Sequence, residues 1–255
     1  MLIAAAVVPH PPVLVPEVAQ GLSPDLDTLR AACDIAVDRL YAAGADELLI
    51  VGAGPERSSL VAIQGGFHGY GVDLDVDGRW GPVTERAVPM TLPFLIAAWL
   101  LRDRPAEPVR RALMVDERTG AAPAISGGGG EGLAVPEGLV VPEGAVVPEG
   151  RAEARQAMLV LGDGTASRTP QAPGHFDERA EPYDAAVARA LATADTATLA
   201  DLDPELSRGL HVAGVPAWKV LADAAATSGV EYDAELLYDE APYGVGYFVA
   251  TWLAR

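Results

Sequence analysis

The chain contains 255 residues, of which 18 are Lys or Arg and 36 are Asp or Glu, so its formal net charge is −18. About 50% of the residues are hydrophobic, which is too large a share for an intrinsically disordered chain. No stretch of about 18 residues is continuously apolar, so the sequence predicts no membrane-spanning helix. Lys219 is the one lysine and the arginines are scattered, which argues against the basic surface that nucleic acid binding requires.

Two further features of the sequence indicate the cellular compartment of the protein. The apolar N-terminus has no basic segment and is interrupted by prolines after residue 8, which is typical of a buried strand rather than a secretory signal. The single cysteine, Cys33, cannot form an intramolecular disulfide. We therefore expect a cytoplasmic globular protein.

The first part of the chain predicts a strand, a helix and a second strand in succession. Residues 2–8 are apolar and end in the proline-rich loop 9–12. Ser23-Pro24 suits the N-cap and first turn of a helix, apolar residues follow at helical spacing, and Gly44 ends it. The next buried strand covers residues 47–51. This order indicates a parallel β-α-β unit.

The rest of the chain continues the alternation of helices and strands. Residues 56–92 are rich in glycine and predict loops. Further helices are expected at residues 93–101, 184–194, 204–210 and 217–226, and further strands at residues 112–115, 158–161, 234–238 and 247–252. We therefore predict an α/β fold, a single domain over residues 1–255 with a central, mostly parallel sheet flanked by helices.

The segment 117–150 differs from the rest in composition. It holds a run of glycines followed by three copies of Val-Pro-Glu-Gly at a spacing of six residues. Three copies are too few for a parallel β-helix, and the proline in each copy lacks the N–H that a ladder needs. We interpret the segment as a low-complexity surface insertion that carries no chemistry.

His10 is the first candidate for a functional residue. It follows the C-terminal end of the first predicted strand, where open α/β sheets place their ligand sites. The neighbouring prolines stiffen the loop and fix the direction of the imidazole. On position alone, a polar loop residue that bonds to backbone or water is an equally good interpretation.

Two acidic residues also lie beside predicted strands. Glu240 lies among tyrosines and glycines between two apolar runs, where it could hold a metal, take part in proton transfer or cap a turn. Asp163 follows the strand at residues 158–161 and is flanked by glycines, a pattern that also favours a plain Asx turn. Together, His10 and Glu240 would give two ligands for a divalent ion.

The remaining histidines carry less information. His68 and His175 lie in glycine-containing loops and are interpreted as surface residues. His211 follows a predicted helix end, where a cation is favourable for the helix dipole. Ser167 has no G-x-S-x-G context, so no nucleophile elbow is predicted.

Three motifs, in this order, resemble a known family. They are V-P-H-P-P near the start, G-D-G-T-A-S-R-T-P-Q-A-P-G-H-F-D-E-R-A-E-P-Y-D after the fourth predicted strand, and Y-D-E-A-P-Y-G-V-G-Y-F-V-A near the end. They are similar to the class III extradiol ring-cleavage dioxygenases of the B-subunit type, and within these to the Memo-like branch, over most of the chain apart from the insertion. The resemblance implies an α/β domain, a homo-oligomer, and Fe(II) held by two histidines and a glutamate for the cleavage of a small catechol-like aromatic. It implies His10 as the first histidine ligand and Glu240 as the acidic ligand.

Two family histidines have no counterpart in this chain. Related sequences read S-P-H-G-P where this chain has Gly-Ala-Gly-Pro at residues 52–55, and Ala166 holds the position of the catalytic histidine. His68 is the candidate replacement ligand and His175 the candidate replacement base, although both lie beyond the expected positions. One imidazole and one carboxylate hold a metal more weakly than three protein ligands, and the loss of a positioned base slows proton transfer by a factor on the order of a hundred.

Three functions follow as hypotheses. The first is a class III extradiol dioxygenase-like protein with a degenerate metal site, in which catalysis is lost or altered and the strand ends form a pocket lined by His10, Asp163, Tyr238 and Glu240. Its catalytic candidates are His10, Asp163 and His175, and its metal candidates are His10, Glu240 and His68. The second is a non-catalytic, Memo-like binding or scaffold protein, and the third is a metal-dependent hydrolase that uses His10 and Glu240.

Overall fold

The computed structural model describes residues 1–55, 58–60, 63–78, 88–116 and 154–255. Its framework is a seven-stranded sheet with helices on both faces, accompanied by a three-stranded sheet. The fold is therefore mixed α/β, as the sequence predicts. The insertion at residues 117–150 lies outside the described residues, so its low-complexity surface character stays a prediction.

The strands and helices of the described residues are numbered in chain order. The strands are β1 (Leu2–Val8), β2 (Glu47–Gly54), β3 (Ser58–Leu60), β4 (Ile63–Gly66), β5 (Asp75–Gly78), β6 (Val88–Pro89), β7 (Val109–Asp116), β8 (Gln156–Leu161), β9 (Tyr232–Glu240) and β10 (Tyr247–Ala254). The α-helices are α1 (Pro16–Ala19), α2 (Asp27–Ala42), α3 (Leu92–Leu100), α4 (Ala180–Thr193), α5 (Thr196–Ala200), α6 (Pro204–Gly209) and α7 (Val215–Ser228).

The larger sheet is parallel at its centre and antiparallel at its edges. Its strand order is β3-β7-β2-β8-β1-β10-β9. The four strands β7, β2, β8 and β1 pair in parallel, whereas β3, β10 and β9 join antiparallel. The predicted parallel arrangement therefore holds for the interior of the sheet, and the carboxyl ends of β2, β8 and β1 lie side by side.

The position of β1 inside the sheet explains why residues 2–8 are apolar throughout. Ala4, Ala6 and Val8 belong to a core that includes residues of α2 and α3. Ala5 and Val7 belong to a second core that includes residues of α4, α5 and α7. Because both faces of the strand are covered, no position can be polar, as is usual for the inner strands of a parallel sheet.

Helix α2 begins later than the sequence predicts. Ser23 and Pro24 lie in a 3-10 stretch, Gln20–Leu26, in which the Pro24 carbonyl accepts the N–H of Asp27. A proline can continue such a turn but cannot donate in it, so the α-helical bonds start at Asp27, whose carboxylate pairs with Arg30 at 2.8 Å. The predicted end is confirmed, because Gly44 has a φ of +67°, which suits the chain reversal after a helix.

The prediction of loops throughout residues 56–92 is wrong. In the described residues of this region β4 pairs with β5 antiparallel and with β6 in parallel, which forms the three-stranded sheet. These strands are two to four residues long and rich in glycine and aspartate. They lack the alternation of apolar and polar side chains that marks a strand in sequence, so only backbone pairing between distant segments defines them.

No helix among the described residues is both long and apolar enough to cross a membrane.

Candidate functional site

The carboxyl ends of the parallel strands bring His10 and Asp163 together. His10 follows β1, Asp163 follows β8, and the two strands are neighbours in the sheet. The backbone N–H of His10 donates a hydrogen bond of 2.7 Å to Asp163 Oδ1, which ties the proline-rich loop to the end of β8. This is the edge at which open α/β sheets bind their ligands.

The imidazole of His10 is buried but has unused hydrogen-bonding capacity. Its side chain is 9% exposed, and Nδ1 lies 3.5 Å from Asp163 Oδ1. Nδ1 nevertheless has no hydrogen-bond partner in the described structure. A buried polar atom without a partner is uncommon and calls for a functional explanation. With a proton on Nδ1 facing the carboxylate, Nε2 on the opposite edge of the ring is the basic nitrogen.

Burial perturbs the carboxyl group of Asp163. Burial raises its pKa above the ordinary value, and the charge and the backbone N–H of His10 oppose this rise without cancelling it. The pair therefore combines a carboxyl group that holds its proton more tightly than usual with an imidazole one contact away. Such neighbours are typical of sites that move protons.

His10 lines a cleft with a volume of about 520 Å³. The other lining residues come from the end of β2, the first turn of α3 and the connection between α6 and α7: Ala53, Gly54, Pro55, Thr91, Leu92, Pro93, Arg208, His211, Val212 and Ala213. Of the residues expected to line one pocket with His10, none of Asp163, Tyr238 and Glu240 is among those that line this cleft. It opens from His10 toward β2 and not toward β9.

Glycines at the end of β2 allow the wall of the cleft to form. A Cβ on Gly52 would lie 2.7 Å from Pro93 Cβ, so the first turn of α3 can pack on β2 only because that position has no side chain. A Cβ on Gly54 would likewise overlap Met114 of β7. Gly52 and Gly54, in the segment where the resemblance implies a histidine, therefore allow close packing at the end of β2.

Thr91 adds an uncommitted hydroxyl to the same wall. It is the N-cap residue of α3, but its side chain caps no backbone N–H. Its Oγ1 is buried and has no hydrogen-bond partner in the described structure. The hydroxyl can therefore donate to, or accept from, a ligand in the cleft.

His211 lies in the cleft although the sequence indicated only a favourable charge at a helix end. Its φ of +57° is in the left-handed region, which histidine enters more readily than most residues. A Cβ on Gly174 would overlap the ring atom Cδ2 of His211, so the glycine permits the close approach of these two segments. The φ value and this long-range contact are visible only in three dimensions.

Ala166 lies where the resemblance implies a catalytic histidine, and its backbone connects to the segment of His211. Its N–H donates to the Leu210 carbonyl at 3.0 Å, and its carbonyl accepts the Gly174 N–H at 2.8 Å. The next residue, Ser167, is 1% exposed and its Oγ has no hydrogen-bond partner in the described structure. An imidazole is therefore present close to the position of Ala166, but it comes from His211.

Asp184 of α4 is a buried carboxylate that sequence reasoning missed. It accepts hydrogen bonds from the Thr165 N–H at 2.9 Å, from Thr165 Oγ1 at 2.8 Å and from Arg168 at 3.1 Å. A Cβ on Gly164 or Gly246 would lie 2.8 Å or 2.5 Å from its oxygens. Burial raises the pKa of Asp184, and these hydrogen bonds oppose the rise. The residue fixes the loop that follows Asp163.

The structure does not bring the other predicted site residues to His10. The side chain of Glu240 is exposed at the end of β9 and accepts a hydrogen bond of 3.3 Å from Tyr238. His68 lies near the small sheet, 2.8 Å from Asp75 and 3.5 Å from Asp73. His175 is exposed on a loop, with a φ of +60°.

The donors present do not fit the iron site that the resemblance implies. In the described part of the chain, no group of three or more His, Cys, Asp or Glu side chains is arranged to hold a metal ion. The carboxylate beside His10 belongs to Asp163, whereas Glu240 and His68 have the other partners named above. Two histidines and a glutamate are therefore not assembled at this site.

Comparison with known proteins adds no assignment. The chain matches no protein-family model and no curated protein.

Proposed function

We propose that this chain is a class III extradiol dioxygenase-like protein of the B-subunit type, in which the cleft of His10 binds a small catechol-like aromatic and ring cleavage is lost or altered. The observation that carries the proposal is the contact of His10 with Asp163 at the carboxyl ends of β1 and β8, with His10 at the floor of a cleft of about 520 Å³. That volume lies within the range of small-molecule sites.

The chemistry of the cleft suits a phenolic ligand. The basic edge of the His10 imidazole can accept a hydrogen bond or a proton from a ring hydroxyl. Asp163 holds the loop and the imidazole in position, while Leu92 and Pro93 supply apolar surface for an aromatic ring. These residues can bind a hydroxylated ring and polarise it.

A second candidate is the non-catalytic, Memo-like binding protein. The observation that favours it is the lack of a three-ligand metal group in the described residues. It shares the cleft and the ligand class with the first candidate and differs in predicting binding without turnover. The hydrolase hypothesis requires His10 and Glu240 to hold one metal, and the separate partners of these two residues give it no support.

Titration of catechol into the protein, followed by calorimetry, tests the assignment of the cleft. We expect His10→Ala and His10→Gln to weaken binding by about tenfold or more, because alanine removes the acceptor and the glutamine amide, which can accept a hydrogen bond, is not a base that can take the proton of the ring hydroxyl. The matched control is His68→Ala, which removes an exposed imidazole near the small sheet and should leave binding within twofold. Unchanged binding in both His10 variants would overturn the proposal.

Metal analysis of anaerobically purified protein separates the two candidates. We expect metal well below one equivalent and no oxygen uptake with catechol, in the native chain as in His10→Ala. Stoichiometric iron that is lost in His10→Ala, together with catechol-dependent oxygen uptake, would instead mean that ring cleavage is retained through a ligand not assembled in this structure. Binding with no turnover under iron reconstitution would establish the binding protein.

A further inference from the structure

We infer that the cleft of His10 selects ligands that carry a small oxyanion, a carboxylate or a phosphate, and that Arg208 and His211 bind this group at the mouth of the cleft. The inference extends the proposed function, because it names the chemical group that the ligand of the same cleft must carry.

The charge of the cleft is opposite to that of the chain. The protein has a net charge of −18, yet the residues that line the cleft in the described part of the chain include Arg208, His211 and His10 and no aspartate or glutamate. A concave surface lined by one sign of charge concentrates ligands of the other sign. In so acidic a protein, this local excess of cationic and N–H donor groups favours an anion and disfavours a divalent cation.

Arg208 differs from most arginines of the protein in lacking an ionic partner. Arg179 pairs with Asp177 at 2.7 Å and Arg255 with Asp233 at 2.6 Å. In the described part of the chain, no carboxylate lies within ion-pair distance of Arg208. Its guanidinium is permanently charged, and its donors match the geometry of a carboxylate or a phosphate.

The backbone holds His211 beside Arg208. The His211 N–H donates to the Arg208 carbonyl at 3.2 Å, and the left-handed φ of +57° directs the chain out of α6 at this point. Gly174 packs directly against the imidazole. A left-handed residue directly after the C-cap is a common way to end a helix, and here it fixes the segment that carries the imidazole.

The floor and walls of the cleft supply independent evidence for a ligand. His10 is 9% exposed on its side chain, lines the cleft and has an Nδ1 with no partner in the described structure. Two helices of eight or more residues also begin at the cleft. Thr91 is the N-cap of α3 and has an uncommitted hydroxyl, and Ala213 immediately precedes the N-cap of α7. The positive ends of both helix dipoles therefore add to the field that an anion meets.

Together these features give the ligand an orientation. Arg208 and His211 are exposed and His10 is buried, so the oxyanion binds at the mouth and the remainder of the ligand extends toward the floor. Leu92 and Pro93 flank the path between them with apolar surface. A ring that carries one oxyanion at one end and a hydroxyl at the other satisfies both ends of the cleft.

A pair of probes that differ only in charge tests the inference. Benzoate and benzamide have nearly the same shape, so calorimetry on the full-length protein measures the preference for an anion. We expect benzoate to bind at least tenfold more tightly than benzamide. Equal affinities, or no binding of either probe up to millimolar concentration, would overturn the inference.

Variants of two arginines test whether Arg208 supplies the positive charge that binds the anion. Arg208→Gln is expected to weaken benzoate binding about tenfold and to leave benzamide unchanged. Arg189→Gln is the matched control, because Arg189 is exposed on α4, also lacks an ion pair in the described residues and lies outside the cleft. Benzoate affinity that falls equally in both variants would show a general effect of net charge and would contradict the site.

Competition separates the two sources of the oxyanion. Displacement of benzoate by micromolar inorganic phosphate would assign a phosphate ester, and resistance to millimolar phosphate would assign a carboxylate; both results support the oxyanion site. Failure of the oxyanion site can be distinguished from failure of the proposed function. Benzoate binding that depends on Arg208, with no catechol binding, rejects the catechol ligand alone, whereas catechol binding without a charge preference rejects the oxyanion alone.

Discussion

Asp163 follows β8 and Asp184 lies in α4, and the surroundings of these two largely buried carboxylates differ. Asp184 is 1% exposed and receives three hydrogen bonds from Thr165 and Arg168. Asp163 receives one backbone hydrogen bond from His10, and the adjacent Nδ1 of that histidine has no partner in the described structure. Burial raises the pKa of both carboxyl groups.

The difference separates a structural cluster from a binding cluster. A buried carboxylate whose donors are all in place stabilises the fold and has little capacity for a ligand. A buried imidazole whose Nδ1 faces a carboxylate without a hydrogen bond costs stability, and its ring at the cleft is less firmly held than the carboxylate of Asp184. We therefore expect mutations at Asp184 to act on unfolding and mutations around His10 to act on binding.

The largest expected effect is that of Asp184→Ala. The substitution leaves Arg168 and both Thr165 donors without their acceptor, so we expect the free energy of unfolding to fall by about 3 kcal/mol. Glu181→Ala is the control, because Glu181 lies 3.8 Å from the same arginine but is largely exposed and should cost under about 0.5 kcal/mol. Urea unfolding measures the free energy of unfolding of both variants. Similar losses in the two would contradict the structural role of Asp184.

Gly174→Ala is expected to have the next largest effect. The added Cβ would overlap the His211 ring and lie 2.5 Å from Ser167 Oγ and 2.9 Å from the Ala166 carbonyl. Such overpacking costs about 1–3 kcal/mol, and it should also displace His211 from the mouth of the cleft. Gly209→Ala is the matched control, since a Cβ there meets nothing within 4 Å. Thermal unfolding measures the loss of stability, and benzoate titration measures the effect on the cleft. Equal changes in Gly174→Ala and Gly209→Ala would contradict the close contact of Gly174 with His211.

Asp163→Asn should change the pH dependence of stability. A carboxyl group with a raised folded-state pKa contributes stability below the ordinary value of 3.8 that is lost as pH rises through the raised value. Asparagine does not titrate and can still accept the N–H of His10. The melting temperature of the variant should therefore rise relative to that of the native protein as the pH increases above the ordinary value of 3.8. A constant difference as the pH increases would mean that the pKa is not raised.

The smallest expected effect is that of Glu240→Gln. The side chain is exposed and accepts one hydrogen bond of 3.3 Å from Tyr238, so the free energy of unfolding should change by under about 0.5 kcal/mol. Binding of benzoate and catechol should also stay within twofold, because Glu240 does not line the cleft of His10. Loss of binding in this variant would restore the site that the family resemblance implies and would reject the cleft described above.

Predictions from the sequence were most successful where the signal was local. The apolar runs predicted β1, β2 and β8, and the position of His10 after β1 predicted its place at the ligand-binding edge of the sheet. The sequence also predicted that Asp163 follows a strand, but the contact between His10 and Asp163 depends on the pairing of β1 with β8, which the sequence did not predict. Predictions were wrong for the three-stranded sheet and for the start of α2, where backbone pairing and a 3-10 turn leave little trace in residue type.

The sequence by itself determined the mostly parallel sheet, the burial of its inner strands and the placement of His10 and Asp163 after strand ends, because these depend on hydrophobic periodicity along the chain. Only the tertiary structure decided which segments cover that edge. It placed Arg208 and His211 at the cleft, satisfied Asp184 and left Glu240 and His68 with other partners. Such contacts join residues far apart in the chain through close packing at glycines 52 and 174, and no local pattern encodes which distant segment will fill the space that a missing side chain leaves.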